Sequence, residues 1–213
     1  MRIMTIVACV TSVLCTGMAR AGQNNGEASD IAVITNWGED TVSVINIARG
    51  QELSRIPVGS KPYDIKVTPD GRQAYTTCSG ANFISTIDLV ANLEASDRRI
   101  SVGESPRDLA LSRDGRTAIV ANSGSDSISV VDLAAGQERY SVEVGPIPYG
   151  VGLTADERMA VITLWGSSTA VLVELGQRSG RVGGQVGVGS LPYTVAVNDD
   201  LALKHIRSRR RTT

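Results

Sequence analysis

Apolar and polar positions alternate along most of the chain in short stretches of about five residues, broken by pairs such as Asp-Gly and Gly-Ser. Period-two alternation buries one side of an extended segment, and Asp-Gly supplies the positive φ that a tight reversal needs. Three stretches align: PYDIKVTPDGRQAYTTCSGANFISTIDL, PRDLALSRDGRTAIVANSGSDSISVVDL and PYGVGLTADERMAVITLWGSSTAVLVEL. They predict strand a at 63–67, b at 73–77, c at 83–88 and d near 97–102, with equivalents one period on. Asp70-Gly71 and Asp114-Gly115 form the a–b turn, while Asp156-Glu157 fills it without glycine, so a longer or looser turn is expected there.

The alternation sits inside a longer repeat. Val58-Gly59 recurs as Val102-Gly103, Val144-Gly145 and Val188-Gly189, at spacings of 44, 42 and 44. Pro62, Pro106, Pro148 and Pro192 follow at the same spacings, and Gly38, Gly80, Gly124 and Gly166 repeat at 42, 44 and 42. Three markers that hold one phase exclude generic turn chemistry. A four-stranded unit of this length without helical segments is the signature of a β-propeller blade, and the fold expected is all-β with about four blades. A β-solenoid is the alternative, although its coils are usually shorter and less hairpin-like.

Ile34-Thr35-Asn36-Trp37-Gly38, then Thr41-Val42-Ser43-Val44-Ile45-Asn46 and Ile56-Pro57-Val58-Gly59, resemble the YVTN-type repeat of YncE-like propellers. That repeat runs approximately YVTN-x-G-S-x-T-V-S-V-I-D, then I-P-V-G, then P-Y-G-V-A-V-S-P-D-G. The likeness covers residues 31 to about 198 and is weakest in the fourth copy, where Leu164-Trp165-Gly166 replaces Asn-x-Gly. The resemblance implies about seven blades, whereas four periods are present. Residues 201–213, LALKHIRSRRRTT, abandon the pattern. A truncated chain or shifted reading frame is therefore expected, the alternative being a genuine basic tail.

Composition sets the compartment. Met1-Arg2, an uncharged and mostly apolar run from Ile3 to Thr16, and Ala19-Arg20-Ala21 read as a secretory signal cleaved after Ala21. The run is too short for a permanent membrane span. The expected organisation is signal peptide 1–21, linker 22–30, repeats 31–73, 74–117, 118–159 and 160–200, and basic tail 201–213. The location expected is periplasmic or secreted. Cys9 and Cys15 leave with the signal, so the lone Cys78 makes no internal disulfide. Two of the 21 basic residues lie in the signal and five in the tail, leaving 14 against 22 acidic residues in the body, about −8. An acidic body argues against a nucleic-acid groove.

Catalytic chemistry is sparse. The one histidine, His205, lies in the tail, so no His-based triad or His metal cluster is expected, and no cofactor. Gly150-Val151-Gly152-Leu153-Thr154-Ala155 matches a dinucleotide fingerprint in letters only, because no helix follows. Tyr63, Arg107, Tyr149 and Tyr193 share one repeat position after a proline, at the mouth of the expected channel. Phenols with one guanidinium suit an anionic or aromatic ligand; the other reading is repeat-defining packing. Asp64 and Asp108 follow, either as channel carboxylates or as caps on neighbouring backbone amides. Trp37 and Trp165, in b–c loops, are candidate partner anchors or edge packing.

These observations lead to an exported, non-catalytic binding or scaffold propeller that uses its channel or one face. Its partner would be an unidentified protein or a small anionic or aromatic ligand, and open blade faces favour oligomerisation. A lactonase-like or quinone-dehydrogenase-associated propeller is the first alternative, since related propellers serve in such systems. An inactive truncated fragment is the second.

Overall fold

The computed structural model describes residues 3–5, 18–19 and 30–198, so the signal cleavage site and the basic tail lie outside the described residues. In chain order come β1 (Ile3–Thr5), β2 (Met18–Ala19), β3 (Ile31–Asn36), β4 (Thr41–Asn46) and β5 (Gln51–Pro57), which form the first sheet. β6 (Pro62–Val67), β7 (Gln73–Cys78), β8 (Phe83–Asp88), β9 (Leu93–Glu94) and β10 (Ile100–Ser101) form the second. β11 (Pro106–Leu111), β12 (Thr117–Asn122), β13 (Ser127–Asp132) and β14 (Gln137–Glu143) form the third. β15 (Pro148–Leu153), β16 (Met159–Leu164), β17 (Thr169–Leu175) and β18 (Gly180–Gly187) form the fourth. Each of the last three is an antiparallel meander, and the four sheets are blades of a partial β-propeller.

The apolar run of each strand has a direct use, because blades are buried on both faces. Ile119 and Ala121 of β12 face blade four with Ile162 and Val171, while Ala118 and Val120 face blade two with Ile84 and Tyr75. Alternate side chains thus serve opposite seams. Ile31, Val33 and Val42 meet Ile65, Ala74 and Ile87 in the first seam. The core is a set of three seams between sheets.

Three expectations are corrected. The outer strand of blade two is split: β9 and β10 flank a 3-10 turn, Ser96–Arg98, where a d strand near 97–102 was expected. The Asp156-Glu157 turn is no looser than the others. Glu157 takes a φ of 55° where Gly71 and Gly115 take 72° and 68°. Its N–H donates to the Thr154 carbonyl at 2.8 Å, matching Gly71 to Thr68 at 2.8 Å. The Asp side chain holds this geometry, with Asp70, Asp114 and Asp156 each accepting from the backbone N–H two residues on at 3.0–3.2 Å. Finally, residues 193–197, expected as a further strand a, belong to none of the four sheets.

Candidate functional site

The inner strand of each complete blade carries a β-bulge at one position. The register shifts between Pro62 and Ile65, between Pro106 and Leu109, and between Pro148 and Val151. The bulged residues are Tyr63-Asp64, Arg107-Asp108 and Tyr149-Gly150, and a bulge re-aims side chains that flat pairing would send into the seam. Threonines of strand b secure it. Thr77 Oγ1 accepts from the Asp64 N–H at 3.1 Å, and Thr163 Oγ1 accepts from the Gly150 N–H at 2.8 Å. The same hydroxyls donate onward to the Arg107 and Tyr193 carbonyls, tying each inner strand to the next.

Tyr63, Tyr149 and Tyr193 come together. The Tyr63 and Tyr149 hydroxyls lie 2.5 Å apart, Tyr149 and Tyr193 are 3.0 Å apart, and Tyr63 also bonds Tyr193. Arg107 completes the group, its guanidinium carbon 4.8 Å from the Tyr63 ring centre and 5.5 Å from that of Tyr149. Its Nε donates to Ser123 Oγ at 3.2 Å. A guanidinium between two π faces gains from both quadrupoles. Burial, and then the Tyr193 hydrogen bond, push the Tyr149 phenol up to about 12 against the pull of Arg107. The Tyr149 phenol therefore stays a protonated donor at neutral pH.

Asp64 and Asp108 turn into the blade seams. Asp64 Oδ2 accepts from the Leu109 N–H at 3.1 Å, and Asp108 Oδ2 accepts from the Val151 N–H at 2.8 Å, each across to the next blade. Lys66 Nζ stands between them, 2.6 Å from Asp64 and 3.6 Å from Asp108. Desolvation first, then the Asp64 charge, hold Asp108 well above the ordinary carboxylate range. Lys66 escaped the sequence reading because the corresponding residues are Ala110, Gly152 and Ala196.

Trp37 is half exposed on the b–c turn of blade one, with Lys61 Nζ 5.4 Å from its ring centre. Trp165 is partly buried on the b–c turn of blade four, so the two tryptophans do not lie on adjacent blades. Cys78 is buried beside Ser85 Oγ at 3.3 Å, and burial pushes its thiol up. Gly150 to Leu153 lie in β15 and lead into a turn, as a strand does and a dinucleotide loop does not. Among the described residues no three His, Cys, Asp or Glu side chains gather to hold a metal ion. No helix among them is long and apolar enough to cross a membrane.

Many solved structures share the fold. Hydrazine synthase of Kuenenia stuttgartiensis matches with a TM-score of 0.55 at 20% identity, covering 89% of this chain and 79% of its own. A functionally unknown protein from Desulfotomaculum acetoxidans DSM 771 matches with a TM-score of 0.62 at 18% identity, covering 70% of this chain and 49% of its own. At such identities the likeness is one of fold. No curated protein sequence matches the chain. The family model described as Lactonase, 7-bladed beta-propeller matches residues 29–144, more than half of the 213 residues. On that match, together with the bladed sheets, the chain belongs to the seven-bladed β-propeller lactonase family.

Proposed function

We propose that the protein is an exported binding propeller, periplasmic or secreted, that takes a small anionic or aromatic ligand at its channel mouth. The convergence of Tyr63, Tyr149, Tyr193 and Arg107 from four successive repeats carries this reading. The guanidinium offers paired donors to a carboxylate or phosphate, and the phenols offer rotatable hydroxyls and ring edges. A ligand would exchange the hydroxyl-to-hydroxyl bonds for bonds to itself.

Titration calorimetry with phosphate and with benzoate, alongside the melting temperature, tests the site. Arg107→Ala is expected to weaken binding roughly 10- to 100-fold, since a hydrogen bond to a charged group contributes about 1.5–3 kcal/mol. The melting temperature should barely move, because a part-exposed arginine contributes only about 0–1 kcal/mol to folding. Loss of stability with unchanged affinity would contradict the site.

The family match favours a second reading, hydrolysis of a lactone ring. On that reading Arg107 would partner the carbonyl oxygen of the ring. Proton release from a δ-lactone that disappears in Arg107→Ala would displace the binding reading.

A further inference from the structure

Four arginines in or beside the outer strands are matched by the chain's own carboxylates. Arg55 pairs with Glu39, Arg99 with Glu94, Arg139 with Asp132 and Arg181 with Glu174, each at 2.7–2.8 Å. Arg107 differs. It is half-buried on the inner strand β11, yet among the described residues no carboxylate pairs with it and no acceptor meets Nη1 or Nη2. Lys66, by contrast, stands between Asp64 and Asp108. A half-buried guanidinium left without an ion pair, in a body rich in acidic residues, keeps its charge for an anion from outside the chain.

Its surroundings restrict how that anion can approach. Nε donates to Ser123 Oγ at 3.2 Å, which occupies the side-on edge of the guanidinium. The Ser123 hydroxyl is itself oriented. It donates to the Ser105 carbonyl at 2.9 Å, so a lone pair is left facing Nε. The ring centres of Tyr63 and Tyr149 lie 4.8 and 5.5 Å from the guanidinium carbon and 5.9 Å from each other, so both rings flank it on one side. Aromatic faces are electronegative, and anionic oxygens that spread toward them are repelled. The end-on edge between Nη1 and Nη2 stays open. Its two parallel N–H groups match the paired oxygens of a flat carboxylate, whereas a phosphate or sulfonate carries a third oxygen that leaves this plane.

We propose, resting on the reading of the channel mouth as an anion site, that its ligand is a carboxylate gripped end-on by Nη1 and Nη2 of Arg107, with Ser123 as the positioning residue that fixes the fork. Ser79 occupies the repeat position of Ser123 in blade two and separates this role from turn closure. Its N–H and hydroxyl donate to the Lys61 carbonyl at 3.0 and 2.9 Å. Those of Ser123 donate to the Ser105 carbonyl at 3.2 and 2.9 Å. Both serines close the same turn. Blade two carries Tyr63 at the position of Arg107, so only Ser123 also holds a guanidinium.

Calorimetric titration of the full 213-residue chain with benzoate, benzenesulfonate and phosphate tests this. Benzoate and benzenesulfonate share one ring and one charge, so the difference between them reports the shape of the anionic group. The native chain should bind benzoate roughly 10-fold more tightly than benzenesulfonate, the scale of one charge-assisted hydrogen bond. Ser123→Ala should weaken benzoate binding roughly 3- to 10-fold and shrink that preference. Ser123→Thr, which keeps the hydroxyl, and Ser79→Ala should leave both unchanged. The melting temperatures of Ser79→Ala and Ser123→Ala should fall alike, since each loses the same turn bond. Arg107→Lys keeps the charge without the fork and should bind the two anions equally. Equal native affinities for benzoate and benzenesulfonate, or a loss of benzoate affinity in Ser79→Ala as large as in Ser123→Ala, would overturn the proposal and leave an anion site at the mouth. Binding of none of the three anions would overturn that site and the proposal together.

Discussion

Asp108 shows how much one residue's neighbours decide. Its carboxyl lies beside Asp64, with Lys66 at 3.6 Å and the Val151 N–H on one oxygen. Burial and the Asp64 charge raise its folded pKa above the unfolded value. Such a carboxyl binds its proton more tightly in the folded state, so its contribution is fully present below the unfolded pKa, about 3.9. That contribution is lost as pH climbs toward the raised folded value. Asp108→Asn removes the charge and keeps an oxygen for the Val151 N–H. Its melting temperature should exceed that of the native chain at neutral pH, with a flatter profile above about pH 4. Parallel profiles would contradict the assignment. The positions of Tyr63, Arg107, Tyr149 and Tyr193 were legible in the sequence because four copies repeat them in phase. Lys66 was not, since its partner Asp108 belongs to the next blade and no other copy carries a charge there.

Among the elements, the loops that join blades repeat as faithfully as the strands. Lys61, Ser105, Ile147 and Leu191, each before a proline, all have φ between 48° and 53°. Side chains of the preceding b–c turns hold three of them. Asp40, Asn82 and Asp126 accept from the N–H of Lys61, Ser105 and Ile147 at 2.8, 3.0 and 2.9 Å. The constraint matters most at Ile147, because a β-branched residue strains in the left-handed region. Asp126 itself has a φ of 52°, so Asp126→Gly keeps the turn and removes only the acceptor. Thermal unfolding should show a loss of about 1 kcal/mol for that variant and almost none for Asp126→Asn. Equal losses would show that the latch contributes nothing. Strands a, b and c were legible from period-two alternation, as was the a–b turn from Asp-Gly. The Glu157 turn was not, because the Asp156 side chain and the Thr154 carbonyl hold a conformation that glycine usually marks. The split strand of blade two was hidden for a related reason. Residues 93–101 lack the alternation of their neighbours, and the Thr86 hydroxyl donates instead to the Arg98 carbonyl in the break.

At the scale of the molecule, the repeat specifies blades, and the seams between blades specify the channel mouth. Inner strands of successive blades are joined through Thr35, Thr77 and Thr163, whose hydroxyls reach the carbonyls of Tyr63, Arg107 and Tyr193. Those bonds set residues of equal phase around one axis, which is why side chains 86 and 44 positions apart meet. The seam partners, unlike the blades, cannot be read from periodicity, because alternation tells which side chains leave a strand on one face and not what they meet. The central claim is this convergence, and tyrosine cross-linking tests it most directly. Brief photo-oxidation of dilute protein should couple Tyr63 to Tyr149 or Tyr193, and Tyr149 to Tyr193, within one chain. The dityrosine peptides are identified by mass spectrometry. Tyr75, bonded to Gln73, and Tyr140, bonded to the Gly176 carbonyl, should stay uncoupled. Dityrosine confined to Tyr75 and Tyr140, or absent among Tyr63, Tyr149 and Tyr193, would contradict the convergence on which the proposed site rests.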